Sequence, residues 1–385
     1  MGRDDSGRVV FAAGGLAGEE VVVELTAEKK SFARGRVIDV VRASPDRTTP
    51  ACPTHAAGCG GCDLAHANAP AQTRIKRHVV RDALTRIGRL EPDVVDAALA
   101  LGDEVEHTPI PARYRTTVRL AVHEGRVGYR KRASHAILHP EQCTVVHPHL
   151  EQLMRAVRVS PDGGSELIVR VSAHSGQAVI ATDGEPAGVS TGSVDAEVVR
   201  RSDVASGRLT EFAGGRTFQV SAQSFFQAGP DVATALVDAV AAAAGPLAGL
   251  RVVDAYAGVG LFAGSLGHAC DSIVAIEQSA SATEDARVNL ADLDCKIIEG
   301  SVDRWHASPA DLVIADPSRA GLRAAGVDAL VATGAGIFVL VACDSGSLGR
   351  DVGLLSGAGY RLESVQLVDA FHDTSHVETV VRLRK

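Results

Sequence analysis

Residues 216–385 predict an α/β fold built on a parallel sheet, and three observations carry the prediction. Short apolar runs alternate with helix-length segments, the order strand, helix, strand, helix that a parallel sheet requires. The run Arg251–Asp254 opens into a turn containing Gly258 and Gly260 before a helix, a turn in which backbone can close on a ligand. Three runs also end on residues with chemistry: Glu277 after SIVAI, Asp316 after DLVIA and Cys343 after GIFVLVA. In front of this block the pattern differs. Residues 8–42 alternate apolar and polar in short Gly-punctuated runs, which predicts a small twisted barrel of strands, and mainly β structure follows. For 385 residues, two or three domains are expected.

The stretch after the barrel is marked by cysteines. Cys52, Cys59 and Cys62 fall within eleven residues in CPTHAAGCGGC, and Cys143 follows about eighty residues on in PEQCTVVHP. The chain opens on no charged-then-apolar leader and has no apolar stretch long enough to span a bilayer, so it is expected in the cytoplasm without a membrane. Thiols stay reduced there, and grouped ones bind metal or do catalysis more often than they form disulfides. Four-thiolate sets serve zinc and iron–sulfur centres alike, and spacing alone leaves zinc ahead. Residues 74–87 have helical spacing, residues 114–147 return to strand-like alternation ending near Cys143, and residues 184–208 are Gly/Ser/Asp-rich connections. Cys270 and Cys295 read as packing residues.

A net charge of −8 argues against indiscriminate coating of nucleic acid, which needs a basic surface. The charge is uneven, however. Six basic residues face one acid between Arg74 and Arg89, and seven face one between Arg113 and Arg132. Either segment could hold a phosphate backbone or be a solvated face.

Within the α/β block, Glu277 lies one strand beyond the glycine turn, where a carboxylate can accept hydrogen bonds from two ribose hydroxyls. NAD enzymes share that feature, but the full GxGxxG loop for a pyrophosphate is missing, which favours a ligand without phosphates such as S-adenosylmethionine. Asp316 and Cys343 reach the edge where ligands bind in open α/β sheets. Asp-Pro also simply ends strands, and a lone buried Cys is usually an inert small hydrophobe. Three such strand ends in one sheet favour an active site with Cys343 as nucleophile.

Read in order, Cys-x6-Cys-x2-Cys, the distant Cys143, SFFQ, DAYAGVGLF, DPSRAG, ACDSGSLGRD and DTSHVE resemble the uracil-5 RNA methyltransferase family, which makes 5-methyluridine in tRNA or ribosomal RNA. The resemblance runs from about residue 8 to the end. It implies a truncated OB-like TRAM domain over residues 1–48, a central iron–sulfur domain over 49–215 whose helical segment 71–104 packs on the catalytic domain, and a Rossmann-like methyltransferase domain over 216–385. It implies S-adenosyl-L-methionine and a 4Fe-4S cluster as cofactors, with zinc the alternative, Cys52, Cys59, Cys62 and Cys143 being the ligands. Cys343 would add to carbon 6 of uracil, and Glu378 would remove the carbon 5 proton. Gln227, Tyr256, Glu277 and Asp316 would bind the cofactor, while Phe225 and Phe226 read as core aromatics and Arg350 and Asp351 as structural. Because iron–sulfur members are generally the ribosomal ones, a monomer acting on 23S rRNA is expected. The alternatives are action on tRNA and a catalytically silent RNA-binding relative; Glu378 and the cluster cysteines argue against a cytosine-5 enzyme. The chain departs from the family at Ser318, Asp344 with Ser345, and His372 with Asp373, where prolines or Asn are usual, and these positions bear on target choice.

Overall fold

The computed structural model describes residues 1–105, 109–132, 134–140 and 142–385. Strands β1 (Gly2–Arg3), β2 (Val9–Ala13), β3 (Glu20–Glu28) and β4 (Phe32–Arg42) pair in the order β1-β2-β4-β3, with β2 and β4 parallel and β3 and β4 a long hairpin. The cysteine-rich stretch holds the single turn α1 (Pro53–Ala56). Helix α2 (Ala69–Asp82) begins where the Asn68 side chain accepts from the Ala71 amide at 3.0 Å, and it continues through a wide turn over 83–87 towards α3 (Pro92–Asp103).

A second, mixed sheet follows from β5 (Thr117–His123), β6 (Arg126–Arg130), β7 (Ile137–Leu138), β8 (Arg158–Val159), β9 (Glu166–Val171), β10 (Ala178–Thr182), β11 (Val189–Ser190) and β12 (Glu197–Arg200). Its strands run β11-β8-β6-β5-β9-β10-β12, with β7 beside β6. Helix α4 (Pro148–Ala156) covers it through Leu150, Leu153 and Met154, which pack on Leu120, Val169 and Val171. The hairpin β13 (Leu209–Ala213) and β14 (Arg216–Val220) leads to the largest core.

That core is built on β15 (Arg251–Ala255), β16 (Ser272–Glu277), β17 (Cys295–Glu299), β18 (Leu312–Ala315), β19 (Ile337–Ala342), β20 (Arg361–Val368) and β21 (Glu378–Arg384). Their order is β17-β16-β15-β18-β19-β21-β20, parallel except for β21, which runs antiparallel between β19 and β20. Helices α5 (Pro230–Ala244), α6 (Leu261–Leu266), α7 (Ala280–Asn289), α8 (Arg323–Val331) and α9 (Ser345–Gly357) cover the faces. Strand alternation divides the apolar residues between two layers. Val252, Leu312, Ile314, Val339 and Val341 pack with α5 and α6, whereas Val253, Val313, Ala315, Phe338 and Leu340 pack with α3, α8 and α9.

Backbone approach fixes how α3 meets the sheet. A Cβ added to Gly102 would lie 1.8 Å from the Val365 carbonyl oxygen on β20. Gly102→Ala is therefore expected to force the helix off β20 and to lower stability by about 1–3 kcal/mol, read as a lower denaturant midpoint with unchanged slope. Among the described residues no helix is long and apolar enough to cross a membrane.

Candidate active site and cysteine cavity

Strand order reverses at β15, so the crevice at the carboxyl end of β15 and β18 is where an open sheet of this kind offers a ligand site. Asp254 is the penultimate residue of β15, Glu277 ends β16, Asp316 follows β18 and Cys343 follows β19. Because β21 is antiparallel, its first residue, Glu378, begins at this same edge. Ala342 pairs with Thr379, and the next step outward sets Cys343 opposite Glu378.

The turn after β15 is built for close approach. Tyr256 (φ 63°), Gly258 (φ 57°) and Gly260 (φ 87°) are left-handed, and a Cβ on Gly258 would meet only open space. The amides of Gly258 and Ser279 donate to the two Glu277 carboxylate oxygens at 2.9 and 2.7 Å, holding that side chain at the turn. A non-glycine residue in the left-handed region stores strain of the kind found at ligand sites. The Tyr256 ring turns away towards α8, where a Cβ on Gly326 would lie 3.0 Å from its hydroxyl.

Electrostatically the edge is a row of acids, Asp254 and Glu378 buried and Glu277 and Asp316 half-buried. Gln227 Nε2 donates to Asp316 Oδ2 at 3.2 Å, and Asp254 Oδ2 accepts from the Ala263 amide at 2.9 Å. Asp254 Oδ1 and Glu378 Oε2 are buried without a hydrogen-bond partner among the described residues. Burial, aided by the Glu277 charge, pushes the Asp254 carboxyl up to about 7. Burial with Asp254 nearby raises Asp316 to about 7, and burial with Asp316 nearby raises Glu378 to about 8. The Cys343 thiol is pushed up to about 12 by burial and by Glu378 and Asp316, with Arg319 acting in the opposite sense. Unpaired buried carboxyls in a row call for a cation or a set of donors.

Asp254 and Arg319 belong to this site although the sequence reading did not single them out. Both sit inside its motifs, Asp254 opening DAYAGVG and Arg319 in DPSRAGL. Asp351 and Arg350 hold the Arg319 loop. Asp351 accepts from the Leu322 and Arg323 amides at 2.7 and 3.2 Å, and Arg350 donates to the Ala320 carbonyl at 2.7 Å. Asp344, a departure from the family pattern, caps α9 by accepting from the Ser347 amide at 2.8 Å, a role Asp fills as well as Asn.

Phe225 and Phe226 separate. Phe226 is in the core beside Phe218, whereas Phe225 is 68 % exposed and is not the core residue expected. The basic segment 74–89 also differs from a phosphate-binding stripe. Arg74, Lys76, Arg77 and Arg81 pair with Asp46, Asp369, Asp103 and Asp96 from elsewhere in the fold, and Arg86 pairs with Asp82 inside the segment.

The cavity lined by Cys52, Cys59, Cys62 and Cys143 has a volume of about 520 Å³. All four thiols are free, and burial, with the Asp373 carboxylate and the other three cysteines nearby, raises Cys62 to about 12. Arg115, Arg119, Arg130, Lys131 and Arg132 also face it, with no carboxylate among the described lining residues. Among the described residues no three His, Cys, Asp or Glu close on one point as ligands of a single metal ion do. A ring of thiols around a roomy, cationic space fits a bulky anionic cluster better than one tetrahedral ion, whose sulfurs lie about 2.3 Å from a common centre.

No family model matches the chain. A protein of Streptomyces avermitilis named as an RNA methyltransferase is 33% identical over 411 aligned residues, covering 100% of this chain and 94% of that protein. The 23S rRNA (uracil(1939)-C(5))-methyltransferase RlmD of Methylococcus capsulatus is 30% identical, covering 97% of this chain and 91% of that protein. In fold the chain resembles the solved structure of Pyrococcus abyssi tRNA (uracil-54, C5)-methyltransferase in complex with S-adenosyl-L-homocysteine, with TM-score 0.71, 24% identity, and coverage of 97% of this chain and 95% of that one.

Proposed function

The chain belongs to the RNA methyltransferase family, as full-length relatives at 33% and 30% identity establish, and from that premise we propose that it transfers a methyl group from S-adenosyl-L-methionine to carbon 5 of a uridine in 23S rRNA. The observation that carries the chemistry is the opposition of Cys343 and Glu378 across β19 and β21.

Carbon 5 of uracil is too poor a nucleophile to take a methyl group unaided. The Cys343 thiol gives up its proton to solvent, its Sγ bonds to carbon 6, and the electron pair of the 5,6 double bond moves into an enolate, which makes carbon 5 nucleophilic. S-adenosyl-L-methionine supplies the methyl group, and S-adenosylhomocysteine is the by-product. Glu378 in its ionised form, a fraction that grows as pH rises towards about 8, then takes the carbon 5 proton, the 5,6 double bond re-forms, and Cys343 leaves as a thiolate that takes a proton back from solvent. Glu378 passes its proton to solvent.

The row Asp254, Glu277 and Asp316 supports a cofactor carrying a sulfonium cation over a dinucleotide, because buried acids repel a pyrophosphate. Gln227 fixes Asp316, and Glu277 at the left-handed turn is placed for ribose hydroxyls. The exposed Phe225, two residues from Gln227, suits stacking with an RNA base. A cation prefers ionised carboxylates, so affinity for S-adenosylmethionine is expected to rise as pH increases through about 7, by up to about tenfold per unit. S-adenosylhomocysteine, lacking the sulfonium charge, is expected to show a flat profile; equal slopes in calorimetric titrations of the two would remove the cation argument.

For the cavity, the reading is a 4Fe-4S cluster held by Cys52, Cys59, Cys62 and Cys143. Anaerobically purified protein is expected to carry about four irons per chain, and Cys59→Ser to lose most of them. One zinc per chain with no iron would replace the assignment.

The ribosomal target rests on the RlmD relative at 30% identity. Its test is mass spectrometry of nucleosides in 23S rRNA and tRNA from cells with and without the gene. Loss of 5-methyluridine from 23S rRNA is expected; loss from tRNA alone would move the target, and no loss in either would sink the reading.

A further inference from the structure

Glu378 is reached from the loop 369–377 that joins β20 to β21, and that loop is tied to residues near the other end of the chain. Asp63, directly after Cys62, accepts from the Ser375 amide and hydroxyl at 2.8 and 2.6 Å. The Leu64 amide donates to the Asp373 carbonyl at 2.8 Å. Gln72 forms a reciprocal pair with Asp373, donating to its carboxylate at 2.9 Å and accepting from its amide at 3.0 Å, and Asp373 is held left-handed at φ 62°. Lys76, only 1 % exposed, donates to the Phe371 carbonyl at 2.9 Å and to Asp369 at 2.5 Å. His372 and Thr374 line the cysteine cavity itself, and His372 lies edge-on to Tyr114.

These bonds fall on backbone groups as well as side chains, so they set the path of the loop and not merely its surface. They act three to nine residues before Glu378, on the loop that leads into β21. The partner residues Asp63 and Gln72 lie on the cysteine side and touch neither Cys343 nor the acids at the other strand ends among the bonds described.

We propose that Asp63 and Gln72, with Lys76 beneath them, are positioning residues for the proton-abstraction step, through which the cysteine-bearing segment seats Glu378 against the reacting carbon. The inference rests on the reading of Glu378 as the base. A base displaced by about 1 Å loses on the order of 100-fold in rate, whereas the attack by Cys343, carried on β19, is left in place. Disturbing the ties therefore slows release of the methylated enzyme–RNA adduct and leaves its formation intact.

The experiment is single-turnover methylation of total RNA from cells lacking the gene, using methyl-labelled S-adenosylmethionine and following the covalent adduct on denaturing gels. Asp63→Ala and Gln72→Leu are expected to form the labelled adduct at close to the parent rate and to resolve it about 100-fold more slowly. Asp63→Asn, which can still accept from the Ser375 amide, is expected to recover most of the loss. Glu378→Gln is the control: if it accumulates no labelled adduct, the base reading itself fails. If Glu378→Gln traps the adduct but Asp63→Ala and Gln72→Leu resolve it at the parent rate, the positioning inference is overturned and the base reading stands. Equal slowing of formation and release in both variants also overturns it, since that is the signature of general loosening. Should Asp63→Ala lose iron or fold poorly, Gln72→Leu decides alone provided its iron content matches the parent, because Gln72 also donates to the Leu64 and Ala67 carbonyls after the cysteine loop; should it too lose iron, Lys76→Met, with the same expected slow release, decides.

Discussion

Cys343→Ala is expected to reduce methyl transfer to background, a loss on the order of 10⁶-fold, the scale that follows removal of the nucleophile from a covalent catalyst. The side chain follows β19 and is half-buried, so its removal vacates little volume and the fold should persist. RNA carrying 5-fluorouridine separates nucleophile loss from RNA-binding loss, because fluorine at carbon 5 blocks the final proton removal and leaves the thiol bound at carbon 6. The parent should give a denaturation-resistant complex with such RNA, and the Ala variant none. If the variant turned over within about tenfold of the parent, or gave the same complex, the covalent reading would be wrong.

Glu378→Gln is expected to slow turnover by about 10²–10⁴-fold, the usual contribution of a positioned base, while methyl still reaches the RNA in a trapped adduct. A stability effect of opposite sign accompanies it. Burial and the nearby Asp316 raise the folded-state pKa of Glu378 to about 8 from an ordinary 4.5. Native protein thus holds a proton there that the unfolded chain gives up. That contribution is complete below the ordinary carboxylate range and is lost as pH rises through about 8. Glutamine removes the titration. The thermal midpoint of the Gln variant should pull ahead of the parent as pH climbs from the ordinary carboxylate range to about 8 and hold its lead above that, and the two should converge in acid. A parent that gained stability relative to the variant over that range would contradict the buried, raised carboxyl.

Much of the strand-edge site is legible in the sequence, because Glu277, Asp316 and Cys343 each stand at the end of an apolar run and parallel strands bring such ends together. Glu378 is different. Its place depends on β21 turning back between β19 and β20 and on the register Ala342 with Thr379, and no local pattern records either; only the resemblance of DTSHVE pointed to it. The ties from Asp63, Gln72 and Lys76 were illegible for the same reason, their partners lying some three hundred residues away. That distance also explains why the basic segment left two readings open. Charge runs describe neighbours along the chain, whereas Arg77 and Arg81 answer to Asp103 and Asp96 across a helix–helix contact. Phe225 and Phe226 show the limit of composition: adjacent identical side chains face opposite environments, and only the packing of Phe226 on Phe218 decides which is inside.

The bond from Ser375 to Asp63 joins residues 312 apart, and that separation has a consequence for assembly. A ribosome delivers the cysteine segment and α2 early and β21 last among the described elements, so the loop beside Glu378 has its anchors waiting for most of the time these elements are being made. Contacts of such long sequence separation also form late in refolding, because closing the intervening chain must precede any gain from them. Helix content should therefore return before the ability to release product does. A molecule caught in that interval is expected to form the uridine adduct and to release it slowly.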